Sequence, residues 1–328
     1  MQFRSFRLAL PVATLALASL AAPLHGQDAV ARAQRIYMTR QYAAARRALE
    51  PYARSHPNDA RAAFWMGRTY LSQKNADSAL VWLQKAVELD ARPSDYHLHL
   101  GNALGLKGLQ SNMLRQAILA RQAKAEFERA VEIAPRNVDA HLGLMRFYLL
   151  APGILGGDMD KALAEAGAVK RVDAYVGALA AASVQKARGD VAALTAEYEA
   201  ALRRFPDSTA LYIGLGNTYD GQKRFTDEVA LYERFIRRRP DVMVPYYQLG
   251  RIAAVTGQGL DRGAAALQRY LQSKPVGSDP SLAAAHWRLG MVYARQARRD
   301  QARAEYRAAL AIVPNFPEAR ASLAQVGG

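Results

Sequence analysis

Cysteine is absent from this 328-residue chain, and several chemistries go with it. Without it there is no disulfide framework, no thiolate-held zinc or iron–sulfur centre, no thiol nucleophile and no lipid-accepting cysteine near the N-terminus. Aromatic residues are sparse, at 9%, and acids are outnumbered, 29 Asp and Glu against 44 Lys and Arg, for a formal net charge of +15. Beyond Ala22 no apolar run approaches the ~20 residues a bilayer span needs, which excludes a polytopic membrane protein. What is present is 51% hydrophobic and 22% charged. That balance supports a large buried core and does not fit a disordered chain.

The first 26 residues carry Arg4 and Arg7 and no acid, and an apolar run extends from Leu8 to Ala22. Positive charge followed by about fifteen apolar residues is the order of a secretory signal peptide and is short for a membrane span. Small residues at Ala21, Ala22 and Gly26 offer cleavage points, with Gln27 expected as the first mature residue. The expected product is exported, periplasmic or secreted, with a cleaved signal, no lipobox cysteine and no stable membrane span in the mature chain.

Compared with itself at fixed periods, the chain repeats. Pro57, Pro135, Pro206, Pro240, Pro275 and Pro314 close similar phrases, Ala91 and Ala174 stand where the series otherwise skips, and Pro206 to Pro240 is a step of 34 residues. MGRTY at Met66–Tyr70 aligns with LGNAL at Leu100–Leu104, LGNTY at Leu215–Tyr219, LGRIA at Leu249–Ala253 and LGMVY at Leu289–Tyr293. The glycines in these phrases let a second helix approach closely, and Ala45, Ala79, Ala123, Ala162 and Ala302 do the same from the facing helix. Leu83, Phe127, Tyr198, Tyr232 and Tyr306 fall on the stripe beside those small residues and fill the remaining space. Each closing proline ends the second helix and turns the chain into the next unit.

This pattern resembles the tetratricopeptide repeat, two antiparallel helices in about 34 residues, over nearly all of the chain after residue 26. The resemblance implies an all-α helix-turn-helix solenoid with a right-handed superhelix, about eight repeats and about seventeen helices. The expected units are 27–59, 60–93, 94–137, 138–174, 175–208, 209–242, 243–282 and 283–316, closed by a capping helix in 317–328. Residues Ser111–Ala162 further resemble a group of exported bacterial tetratricopeptide proteins without an assigned activity, which supplies no catalytic residues.

Two units break the period. Gly101 to Ala123 spans 22 residues where Gly67 to Ala79 spans 12, so about ten residues around Gly105–Gln116 either lengthen both helices or form a loop between them. Ala151–Asp160 reads APGILGGDMD, and Pro152 with three glycines disfavours a helix. A hairpin-like finger presenting the exposed pair Ile154 and Leu155 is expected there, resting on a neighbouring repeat or on a partner. Its Gly-Gly is not a phosphate cradle, because no strand precedes it and no Lys-Ser/Thr follows.

Catalytic signatures are missing. His97, His141 and His286 share one position, the fourth residue of the first helix, where Tyr212 and Tyr246 stand in other units. A recurring repeat position points to packing between helices. His97 and His99 lie on different helical faces and make poor joint ligands, and no HExxH or GxSxG nucleophile signature occurs. No catalytic residue, cofactor or metal site is expected, and the chain is not expected to be an enzyme.

In this family the first helices line the concave side, chiefly through their second, fifth, ninth, twelfth and thirteenth residues, and the resemblance implies the same here. The fifth positions are Val30, Phe64, Leu98, Leu142, Leu179, Ile213, Tyr247 and Trp287, all apolar or aromatic. Members that clamp a peptide's terminal carboxylate carry Lys or Arg there with Asn at the ninth position. Asn102 and Asn217 meet the second requirement and no unit meets the first, so such a clamp is not expected. An apolar strip bordered by Arg61, Arg68, Arg146 and Arg251 remains, suited to an amphipathic helix or extended segment with acidic flanks.

The expected function is a non-catalytic protein–protein interaction scaffold or adaptor in the bacterial cell envelope, monomeric or weakly associating. A partner segment would sit in the concave groove or on the 151–160 loop, with Phe64, Arg68, Arg146, Ile154, Leu155, Tyr247, Arg251 and Trp287 as the candidate binding residues. Arginine clusters at Arg203–Arg204, Arg234 with Arg237–Arg239, and Arg298–Arg299 with Arg303 and Arg307 leave an alternative open. It is an accessory subunit of polysaccharide secretion or envelope biogenesis that binds an anionic polymer. Nucleic acid is not expected as a partner, because no aromatic residues interleave with these clusters and an exported protein rarely meets it.

Overall fold

The computed structural model describes residues 22–327, with side chains from residue 29 onward, so the expected signal segment 1–26 lies almost wholly outside the described residues. Within them the chain forms seventeen α-helices and no strand, in two compact units that divide between Val172 and Asp173. The first unit holds α1 (Ala22–Met38), α2 (Tyr42–Ser55), α3 (Ala60–Ser72), α4 (Ala76–Leu89), α5 (Ser94–Leu109), α6 (Met113–Ile133), α7 (Val138–Leu150) and α8 (Met159–Val172). Each helix packs on the next, and α1, α3, α5 and α7 also touch in series.

The second unit holds α9 (Ala174–Arg188), α10 (Val191–Arg204), α11 (Thr209–Gly221), α12 (Phe225–Arg238), α13 (Val244–Thr256), α14 (Leu260–Leu271), α15 (Leu282–Arg295), α16 (Arg299–Ile312) and α17 (Pro317–Gly327). Its helices follow the same rule, with α13, α15 and α17 in contact as alternate members. The architecture is the helix-turn-helix repeat solenoid expected from the 34-residue period.

Local sequence explains where these helices begin and turn. Asp59, Asn75, Asn112, Asn137, Asp190, Ser208 and Ser281 cap α3, α4, α6, α7, α10, α11 and α15, each accepting a hydrogen bond from a backbone N–H three residues on. Such caps satisfy donors that a helix start leaves unpaired. The turn inside six of the eight hairpins uses a left-handed residue at a fixed place. Arg40 and Lys74 are 34 apart, as are Gly189, Lys223 and Gly257 in turn, and all five have positive φ. Ala297 takes the same conformation in the last hairpin, with φ 60°.

Packing follows the small-against-large rule. A Cβ placed on Gly67 would stand 2.5 Å from the Leu83 side chain, on Gly101 2.8 Å from Phe127, and on Gly290 2.5 Å from Tyr306. These glycines therefore set the distance between the helices of a pair, and Ala45, Ala79, Ala123, Ala162 and Ala302 are all buried on the facing side. The inserted residues of the third repeat lengthen both of its helices, α5 to 16 residues and α6 to 21, and leave only a short turn at 110–112.

Candidate functional site

The candidate residues fall into different environments. Phe64 is buried, its ring stacked on Tyr96 at 4.5 Å between centroids and meeting Trp65 and His99 edge-on. Tyr247 is buried against Tyr270, 5.3 Å away. Both were expected to face a ligand. They are instead part of helix–helix interfaces, because an aromatic residue of another helix, Tyr96 on α5 and Tyr270 on α14, covers each ring. Trp287 is half-buried, donating from Nε1 to the Ser322 hydroxyl at 3.1 Å and packing on Phe316 near α17. Arg68 lies over the Trp65 ring at 4.5 Å and the Tyr37 ring at 4.9 Å.

Arg251, expected at the border of the strip, is half-buried and held in ion pairs with its own neighbours. Its guanidinium reaches Asp220 at 2.9 Å and Glu228 at 2.5 Å. Glu228 is fully buried, and its second carboxylate oxygen and the buried Tyr232 hydroxyl have no hydrogen-bond partner among the described residues. Burial pushes Glu228 up to about 7, with Asp220 adding to the rise and Arg251 opposing it. Burial likewise holds the Tyr232 phenol above its usual range.

The histidines form a repeated clasp. His97 Nδ1 meets Glu126 at 2.6 Å and its Nε2 meets the Ala91 carbonyl at 2.9 Å. His141 pairs with Glu165 at 2.5 Å and the Pro135 carbonyl at 3.0 Å, and His286 pairs with Glu305 at 2.6 Å. Tyr246 donates to the Pro240 carbonyl at 3.3 Å, the same six-residue reach back to the end of the preceding helix. At His97 and His141 the fourth position therefore ties three elements together, as a structural tether. The glutamates were missed from sequence, since they lie 19 to 29 residues downstream on the facing helix.

The two departures from the repeat meet at one place in the first unit. The lengthened ends of α5 and α6, α7 and the 151–157 segment surround a mainly apolar cleft of about 290 Å³. Gly101, Gly105, Ala120 and Ala123 supply small walls, with Phe127 and Phe147 beside them. Gly105 has no neighbour within 4 Å of a built Cβ, so glycine there leaves open space. Arg146 and Leu155 line the cleft, while Ile154 stands out at 90% exposure.

The expected finger is a tight turn. Residues Gly153–Leu155 make one 3-10 turn, Leu155 N–H and Gly157 N–H both donate to the Pro152 carbonyl, and Asp158 N–H donates to Tyr148. Gly156 has φ 95°, and a Cβ on Gly157 would collide with the Ala151 carbonyl oxygen. The pair Ile154 and Leu155, expected to be exposed together, is split: the turn points Ile154 outward and leaves Leu155 half-buried against the cleft.

In the second unit a broad cavity of about 950 Å³ lies among α10, α11 and α12. Arg203, Arg234, Arg237 and Arg238 line it together with Glu199 and Tyr212. Arg234 sits over the Tyr212 ring and Arg238 is paired with Asp207 at 2.6 Å.

Stacked helical hairpins that share one packing rule and lack strands among the described residues define a helix-turn-helix repeat protein. Tetratricopeptide repeat models match residues 30–96 and 179–242, and a further one matches 283–316, so the chain belongs to the tetratricopeptide repeat family. Proteins of this family are commonly non-catalytic scaffolds for protein interaction. Among solved structures the chain is similar to a thermophilic TPR protein of Thermus thermophilus, at 22% identity over 59% of this chain and 98% of that one, TM-score 0.49. It is also similar to a tetratricopeptide repeat protein of Parabacteroides merdae, at 12% identity over 93% and 100% of the two chains, TM-score 0.49. PilF of Pseudomonas aeruginosa is similar at 14% identity over 81% of this chain and 97% of its own, TM-score 0.45. No curated protein matches the chain.

Proposed function

We propose that this chain is a non-catalytic interaction scaffold of the bacterial cell envelope, monomeric or weakly associating, that takes a protein segment at the 151–160 turn and its adjoining cleft. The observation that carries this reading is Ile154, an apolar side chain 90% exposed on a turn fixed by its own hydrogen bonds. An ordered turn that presents an apolar tip binds with little loss of freedom. The buried state of Phe64 and Tyr247 favours this place over the regular positions of the groove. Envelope residence is supported by Arg4, Arg7 and the Leu8–Ala22 run.

The test is capture from an envelope extract with tagged wild-type chain and an Ile154→Ser, Leu150→Ser variant. One protein recovered at constant ratio by the wild type and lost with the variant supports the proposal; equal recovery by both overturns it. N-terminal sequencing of the native product tests the compartment, and intact Met1 and Gln2 would count against export.

The arginine-lined cavity favours a second reading, an accessory subunit of polysaccharide secretion or envelope biogenesis that binds an anionic polymer. Retention of polygalacturonate by the wild type, reduced in an Arg203→Gln, Arg237→Gln variant, would support it; equal retention would remove it.

A further inference from the structure

Resting on the scaffold reading, we propose that the cleft between α5, α6 and α7 is the seat of an amphipathic helix carried by an acidic partner protein. The cleft belongs to the two stretches that the repeat does not require. Insertion lengthened α5 and α6 beyond their neighbours, and the apolar positions gained were left in solvent: Leu109 is 78% exposed, Met113 85% and Leu114 77%. Leu150 at the end of α7 and Ile154 on the turn add 76% and 90%. Leu109 and Leu150 line a single concavity whose walls include Gly101, Gly105, Ala120 and Ala123.

The shape selects among occupants. A volume of about 290 Å³ lies at the lower edge of the range of ligand pockets, roughly 300–1,000 Å³, and accommodates a few side chains. Small residues along α5 and α6 allow a third helix to come close, the geometry in which i, i+3, i+4 and i+7 anchors enter a groove. A flat bilayer surface would make no use of the concavity.

Charge selects the partner's chemistry. Residues 105–124 contain Lys107, Arg115, Arg121 and Lys124 and no acid, and residues 143–157 contain Arg146 and no acid. Lys107 is held by Asp77 at 2.6 Å and Lys124 by Glu128 at 3.3 Å. Arg146, the guanidinium that lines the cleft, meets no carboxylate among the described residues and donates to the Leu142 carbonyl of its own helix. An uncompensated guanidinium in the wall of an apolar cleft, with no acid in the stretches that form it, complements a helix with an apolar face bordered by Asp or Glu.

A random library of displayed helical peptides, selected on the full-length chain, tests this. Enriched sequences should carry apolar residues at i, i+3 or i+4 and i+7 beside Asp or Glu. They should bind Gly105→Leu and Ile154→Ser at least ~10-fold more weakly than wild type. Leucine at 105 enters open space and removes a helical glycine, so an unchanged or raised melting temperature verifies that the variant is folded. In an Arg146→Glu variant, selection should switch to basic peptides.

Peptides that bind Gly105→Leu as tightly as wild type would remove the cleft and leave the scaffold reading standing. Failure to enrich any peptide, together with Ile154-dependent binding to vesicles of equal parts phosphatidylcholine and phosphatidylglycerol, would overturn both in favour of a membrane surface. Self-association abolished by Gly105→Leu in sedimentation would instead assign the cleft to a second copy of the chain and overturn the partner proposed here.

Discussion

His141 Nδ1 and Glu165 Oε2 stand 2.5 Å apart across α7 and α8, and His97 and Glu126 hold the same clasp across α5 and α6. The other nitrogen of each ring faces a backbone carbonyl. A double-mutant cycle of His97→Ala and Glu126→Ala should give a coupling of about 1–3 kcal/mol in urea unfolding. A coupling below ~0.5 kcal/mol would reduce the clasp to a surface contact.

The buried Glu228 predicts a pH dependence of known sign. Its folded value of about 7 lies above the ordinary carboxyl value of 4.5, so the folded state holds the proton more tightly. That contribution to stability is fully present below about 4.5 and is lost as pH rises toward 7. The size is up to about 3 kcal/mol. Glu228→Gln, which imitates the protonated carboxyl beside Arg251 and Asp220, should flatten this part of the stability curve. His99 has the opposite sign. Burial lowers it to about 4, so its contribution is present above 6.5 and fades as pH falls. Urea midpoints of wild type and Glu228→Gln across this pH range check the prediction, and parallel curves would contradict it.

Ala297 occupies a left-handed turn position that glycine takes at Gly189 and Gly257. An alanine side chain makes no hydrogen bond to offset that conformation, which costs L-residues roughly 1–2 kcal/mol. Ala297→Gly should therefore stabilise the second unit by about 1 kcal/mol in thermal unfolding. A loss of stability would show that the turn carries no strain there.

Gly157 is expected to be intolerant for a different reason. Its built Cβ overlaps the Ala151 carbonyl oxygen, so Gly157→Ala must displace the backbone that holds Ile154 out. The expected cost is about 1–3 kcal/mol, with loss of partner capture. Full retention of both would mean that the turn's conformation is not what presents Ile154.

The fold was legible because a repeat states its packing rule many times. Gly67, Gly101 and Gly290 each face a large residue on the following helix, and one such pairing identifies the others. The fate of Phe64 and Tyr247 was not legible. Their fifth positions imply a groove by family likeness, but the covering rings of Tyr96 and Tyr270 belong to other helices, 32 and 23 residues further along the chain. The inserted stretch and the 151–160 turn were each visible as breaks in the period. That they border one cleft was not, because only the folded arrangement of α5, α6 and α7 brings Leu109 and Leu155 to the same place.

Ile154 decides between packing and partner binding. Calorimetric titration of the captured partner segment against wild type and Ile154→Ser, with thermal melts of the same samples, measures both roles at once. The expected result is a Kd raised about 30-fold, near 2 kcal/mol, with stability within about 0.5 kcal/mol of wild type. An unchanged Kd, or a stability loss of about 2–5 kcal/mol of the kind that marks a buried side chain, would contradict a partner site at this turn.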